Sequence, residues 1–101
     1  MTTLEEVLDL ASTVEGVTGE AGPDGTTTWS GVGGPFATLD AARGMASFKL
    51  DSTLAAAAVR TPDTSASERG RDWVDFVPRE VDDHAIDRAT AWFGAAARRS
   101  G

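Results

Sequence analysis

Apolar side chains recur at Leu4, Val7, Leu8, Ala11 and Val14, and Glu5, Glu6, Asp9 and Ser12 fill the positions between them. This i, i+3, i+4, i+7 spacing gathers the apolar positions on one face of a helix and the acids on the other. Thr3 precedes the run and Glu6 follows three positions later, the reciprocal arrangement of a capping box; Glu15-Gly16 ends the helix. From Val17 onward the period shortens. Segments rich in Thr, Val, Phe and Trp are separated by Ala21-Gly22-Pro23-Asp24-Gly25, Gly33-Gly34 and Ala41-Ala42-Arg43-Gly44, turns that can supply the positive φ a hairpin needs. The pattern predicts four strands, at about 17–20, 26–32, 35–40 and 45–50. In the fourth, Ala46, Phe48 and Leu50 alternate with Met45, Ser47 and Lys49, giving one buried and one mixed face.

Ser52 to Arg60 opens on a capping residue and is dominated by alanine, which predicts a short helix stopped by Thr61-Pro62. Pro62 to Gly70 is polar and without period, and reads as a surface loop. Trp73 to Val77 is a fifth strand, closed by Pro78. A last helix runs from about Asp83 to Arg99, with a buried stripe of Ile86, Ala89, Phe93 and Ala97 and with Trp92 at its margin. Its acids near the start and Arg98-Arg99 at the end suit the macrodipole. The order α-β4-α-β-α predicts an α+β fold, an antiparallel meander of about five strands flanked by N- and C-terminal helices, as a single domain over residues 1–101. A chain of 101 residues can bury one core without a disulfide or a metal.

Composition narrows the chemistry. The chain has no cysteine, which removes disulfides, iron–sulfur ligation and a thiolate nucleophile, and fits a reducing, cytoplasmic setting. No apolar run approaches a membrane span, and Met1-Thr2-Thr3-Leu4-Glu5-Glu6 lacks the basic and apolar regions of a secretory leader, so no membrane partner is expected. The formal charge is −7. Residues 1–40 hold seven acids and no Lys or Arg, while residues 41–101 hold nine acids and all nine bases. A field of this sign disfavours non-specific binding to nucleic acid.

Catalytic and metal constellations are sparse. His84 lies beside Asp82, Asp83 and Asp87, but acids at a helix start are expected for capping and dipole reasons. Asp72 and Asp75 would fall on opposite faces of a strand, which separates them as an acid–base pair. Ser30-Gly31-Val32-Gly33-Gly34 has neither the form of a phosphate loop nor that of a nucleophile elbow, and reads as a hairpin turn. The expectation is a non-enzymatic protein with no metal and no cofactor. A small hydrolase or ligand-binding protein would instead need a deep pocket lined by His84 or Asp82.

The remaining signal is a set of bases near an aromatic side chain: Lys49, Arg60, Arg69, Arg71 and Arg79, with Trp73. Strand end, helix end and loop can converge on one rim that meets phosphates or an acidic partner. Alternatively Asp51, Asp63, Glu68, Asp72 and Asp75 neutralise these bases on an ordinary mixed surface. Trp29 and Trp73 read as core or half-buried sheet residues.

Several of these segments, in this order, resemble the MmcQ/YjbR family of small bacterial proteins. The likeness is carried by Val14-Glu15-Gly16-Val17, by Trp29 through Gly34-Pro35-Phe36-Ala37-Thr38-Leu39, and by Ser47-Phe48-Lys49-Leu50 before a short helix. The Pro62 loop, Gly70-Arg71-Asp72-Trp73-Val74 and the closing helix complete it. The resemblance implies a compact α+β fold like that of secretion chaperones or frataxin, and a non-enzymatic protein commonly labelled DNA-binding. Lys49 and Trp73 match family positions and would belong to any shared surface. The alternative to DNA is a protein partner or a second copy, held at a sheet edge or on the mixed sheet face.

Overall fold

A computed structural model of the protein describes residues 3–100; Met1, Thr2 and Gly101 lie outside the described residues. Helix α1 (Leu4–Ala11) starts where the capping pattern places it, and the Thr3 hydroxyl accepts the Glu6 N–H at 3.2 Å. It ends earlier than its apolar spacing predicts. The Ser12 and Thr13 hydroxyls donate to the carbonyls of Asp9 and Leu10 at 2.7 and 2.8 Å, and such local bonds compete with helix continuation. Val14 consequently lies beyond the helix and is exposed rather than buried.

Strands β1 (Thr18–Ala21), β2 (Thr26–Gly31), β3 (Gly34–Asp40) and β4 (Met45–Lys49) form the expected antiparallel meander. Helix α2 (Ser52–Ala58) follows, but its cap is Asp51, whose Oδ1 accepts the Leu54 N–H at 2.8 Å, and Ser52 is already helical. The polar stretch read as a loop contains a sixth strand, β5 (Thr64–Ala66), which pairs with β6 (Trp73–Phe76). Thr-Ser-Ala has no alternating apolar signal, because this edge strand is formed by the partner it meets rather than by a face it buries. The complete sheet has the order β1-β2-β3-β4-β6-β5. Both β4 and β5 are antiparallel to β6, so they run parallel to each other with α2 as their crossover.

Helix α3 (Asp83–Ser100) closes the fold, and Asp82 accepts the Ala85 N–H at 2.9 Å at its start. It packs against β2, β3 and β4, with α1 beside it, while α2 packs against β5 and β6. Side chains of all three helices and of one sheet face make a single apolar cluster. Phe93 meets Trp29 and Phe36 edge to face at 5.5 and 5.2 Å, and Trp92 meets Phe76 and Phe48 at 5.3 and 6.3 Å. Trp92 therefore belongs to the core, not its margin. The buried stripe is Ala85, Ala89, Trp92, Phe93 and Ala96, with Ile86 and Ala97 only half-buried, because the sheet sits on the Trp92 side and the short α1 covers little of the other.

One irregularity serves this core. Ala37 pairs with Trp29 but Pro35 pairs with Ser30, so Phe36 is an extra residue in β3. A bulge there lets Phe36 and Ala37 both turn to the helix side, where Phe36 reaches Phe93.

Candidate functional site

Strand alternation sends Ala46, Phe48, Val74 and Phe76 into the core, which leaves Met45, Ser47, Lys49, Trp73 and Asp75 on the opposite face of β4 and β6. The apolar cluster shared with the three helices lies on the other face, and the end of α3 reaches a cleft lined by Lys49. Lys49 and Trp73 are direct partners across the two strands. The turn from β5 to β6 folds so that the Arg69 guanidinium lies 5.8 Å from the centre of the Trp73 ring, within reach of a cation–π attraction. Arg71 is exposed in the same turn. The Ser67 N–H donates to the Trp73 carbonyl at 3.0 Å and the Trp73 N–H to the Gly70 carbonyl at 3.3 Å, which pins the turn to its strand.

Of the six residues singled out from the sequence, Lys49, Trp73 and the turn that carries Arg69 and Arg71 lie at one end of the sheet, and the Arg69 side chain reaches back along it to a depression shared with Arg43 and Met45. Arg60 and Arg79 lie elsewhere. Arg60 follows the far end of α2, and Arg79 follows the far end of β6, where its Nε stands 3.7 Å from the Asp63 carboxylate. Strand β6 alone separates Arg79 from Trp73 by about 10 Å or more at about 3.3 Å per residue. The single rim of five cations is therefore two separate groups.

Carboxylates decide the local field. Asp72, at φ 69, accepts the Ser52 hydroxyl at 3.3 Å and lies 3.6 Å from the Arg99 guanidinium, so it serves the ends of α2 and α3. Asp75 accepts the Ser47 hydroxyl at 2.6 Å, which satisfies a serine with no exposed surface. The two acids that sequence spacing set on opposite faces are thus occupied by separate partners. Glu68 lines the same shallow depression as Arg69 and Arg43, beside Met45 and Asp75. Among the described residues the ion pairs join Arg43 to Asp40, Arg79 to Asp63 and Arg99 to Asp72, and Lys49, Arg60, Arg69 and Arg71 have none. The influence of Arg69 also reaches the β1–β2 turn. There Asp24 is held below the usual aspartate value, chiefly by the Thr26 N–H it accepts at 3.1 Å and to a smaller extent by the Arg69 charge.

Sequence spacing gave no place to Arg99 except as a dipole complement. It lines a small cleft with Lys49, Pro35 and Ser100. That neighbourhood depends on how the end of α3 docks, and the only sequence signal for it is the glycine content of the β2–β3 turn. The Gly33 N–H donates to the Ser100 carbonyl at 2.6 Å, and a Cβ on Gly33 would fall 2.7 Å from the same oxygen. The glycine-rich segment is a hairpin turn that seats a helix end.

His84 is exposed and Asp82 caps α3, and among the described residues no group of three His, Cys, Asp or Glu side chains is arranged to hold a metal. No helix is long and apolar enough to cross a membrane among those residues. Comparison with family models, with curated proteins and with solved structures finds no match to this chain.

Proposed function

We propose that the protein is a non-catalytic, MmcQ/YjbR-like binding module of the cytoplasm that contacts DNA through the open sheet face at Lys49, Arg69, Arg71 and Trp73. The observation that supports this reading best is the pairing of Lys49 with Trp73, with Arg69 over the same ring, three cations of that end being free of ion pairs among the described residues. An aromatic face between cations can stack on a base while the cations meet phosphates. Arg60 and Arg79 fall outside this surface, which reduces it to a footprint of a few phosphates. That small footprint suits a chain with charge −7, since a long duplex track would meet repulsion from the acidic remainder.

Fluorescence anisotropy of a labelled short duplex tests the reading. Three phosphate contacts give a slope of log affinity against log salt of about −2.7, or roughly a 40-fold loss between about 50 and 200 mM salt. Arg69→Glu with Arg71→Glu should abolish the signal, whereas Arg60→Glu with Arg79→Glu should leave most of it. Absence of binding at low salt, or equal loss from both pairs, rejects the proposal.

A second reading, a protein partner or second copy at a sheet edge, is supported by β1. All four of its residues are exposed, and only one of its edges is paired. A sedimentation mass of one chain that does not change with concentration, and an unaltered mass for Gly19→Pro, would remove self-association at this edge.

A further inference from the structure

We infer that the helix layer carries a docking groove, distinct from the sheet face, that takes a basic amphipathic helix of a protein partner. The groove lies between α1 with its following turn and the half-buried side of α3. Its first part is walled by Leu10 and floored by Ile86 and Thr90, and the next by Val14, Val32 and Gly94. Ile86, Thr90 and Gly94 stand four residues apart along α3, so the two depressions follow one row of the same helix. Three large apolar side chains that could have closed the groove are open to solvent: Leu10 is 75%, Val14 53% and Val32 90% exposed. With Leu10 in one depression and Val14 and Val32 in the next, the row along α3 presents apolar surface that a partner can cover.

The cause is the early end of α1. Its apolar spacing continues to Val14, but the helix stops at Ala11, and the second half of α3 loses the neighbour that the sequence pattern had provided. From Ile86 to Ala97, α3 offers about 16 Å, roughly three helical turns, a length that receives apolar anchors at i, i+4 and i+7 of a partner helix. Gly94 and Ala97 keep the floor low, and the Arg98 side chain lies over Gly94 at one end.

Charge identifies the occupant. Glu6 and Glu15 line the groove on the α1 side, and Asp83 and Asp87 stand one turn before Ile86 and Thr90 on α3, against Arg98 alone. A second copy packed on this face would gather eight such acids, four from each copy, around only two Arg98 side chains. An anionic lipid surface would be repelled likewise. A helix with Leu or Met on one side and Lys or Arg flanking it complements both the apolar floor and the acidic rim.

The test uses the full chain and two synthetic helical peptides of about 14 residues, one of Leu and Lys and one of Leu and Glu in the same amphipathic pattern. The Leu/Lys peptide should bind and shift the methyl resonances of Leu10, Val14, Val32 and Ala97, and the Leu/Glu peptide should not. Leu10→Ser with Val32→Ser alters exposed positions without changing charge, and should weaken binding at least about ten-fold. Glu6→Lys with Glu15→Lys should weaken it to a similar extent. The charge-matched pair Glu20→Lys with Glu80→Lys, off the groove, should weaken it by no more than about three-fold. Equal effects of the two reversal pairs, resonance shifts elsewhere, or a dimer that Leu10→Ser dissociates would each overturn the inference.

Discussion

At the scale of single residues, the fold depends on a few atoms whose roles are specific enough to test. Gly33 lets the β2–β3 turn meet the Ser100 carbonyl, so Gly33→Ala must push the end of α3 away. A cost of about 1–3 kcal/mol in chemical denaturation is expected for that overpacking, with loss of protection at the last turn of α3 in hydrogen exchange. A stability equal to that of the parent would mean that the contact is dispensable. Asp24 gives a pH-dependent counterpart. Its carboxyl is lowered by the Thr26 N–H, so its contribution to the β1–β2 turn is complete above the pKa it has when unfolded and is lost as pH falls through the depressed folded value. A carboxyl carbon titration should give a midpoint below that of free aspartate, with the Thr26 amide resonance following it. A midpoint at or above the free value would contradict the bond.

At the scale of elements, the caps separate two adjacent candidates at α2. Asp51→Ala should destabilise the protein by about 1 kcal/mol, while Ser52→Ala should change thermal stability by less, because the helix N–H bonds to Asp51. The reverse order would return the cap to Ser52. Helix α1, the four-strand meander, α2 and α3 were legible because each has its own period or punctuation: Leu4, Val7 and Leu8 for α1, alternation from Met45 to Leu50 for β4, and alanine between Asp51 and Pro62 for α2. Strand β5 was not, since three small polar residues at an edge carry no period of their own. The place of Trp92 is not legible in the sequence for another reason. A helix packed on a wide sheet buries neighbouring large side chains, and the direction of the sheet cannot be read from the helix alone. Val14 fits the apolar spacing of α1, but hydroxyls at Ser12 and Thr13 end the helix first.

At the scale of the whole molecule, charges from both parts of the chain are brought together on two surfaces. The open sheet face holds Lys49 and Trp73 with Arg69 over the ring and Arg71 in the adjoining turn, and the helix layer holds an apolar groove between acids. Of the six residues singled out from the sequence, Lys49 and Trp73 pair on this face with Arg69 beside them, Arg71 is in the adjoining turn, and two lie elsewhere. Arg60 and Arg79 are close to it along the chain and distant in the fold, because α2 and β6 carry them to the other end. The groove was hidden by an apolar pattern that predicted a longer α1. The most direct test of the DNA reading is amide and indole N–H mapping of the labelled protein during titration with a short duplex at about 20 mM salt. The account predicts shifts at Lys49, Arg69, Arg71 and the Trp73 indole, with Arg60 and Arg79 unmoved. Shifts confined to the Arg60 and Arg79 end, or none at all, would contradict it.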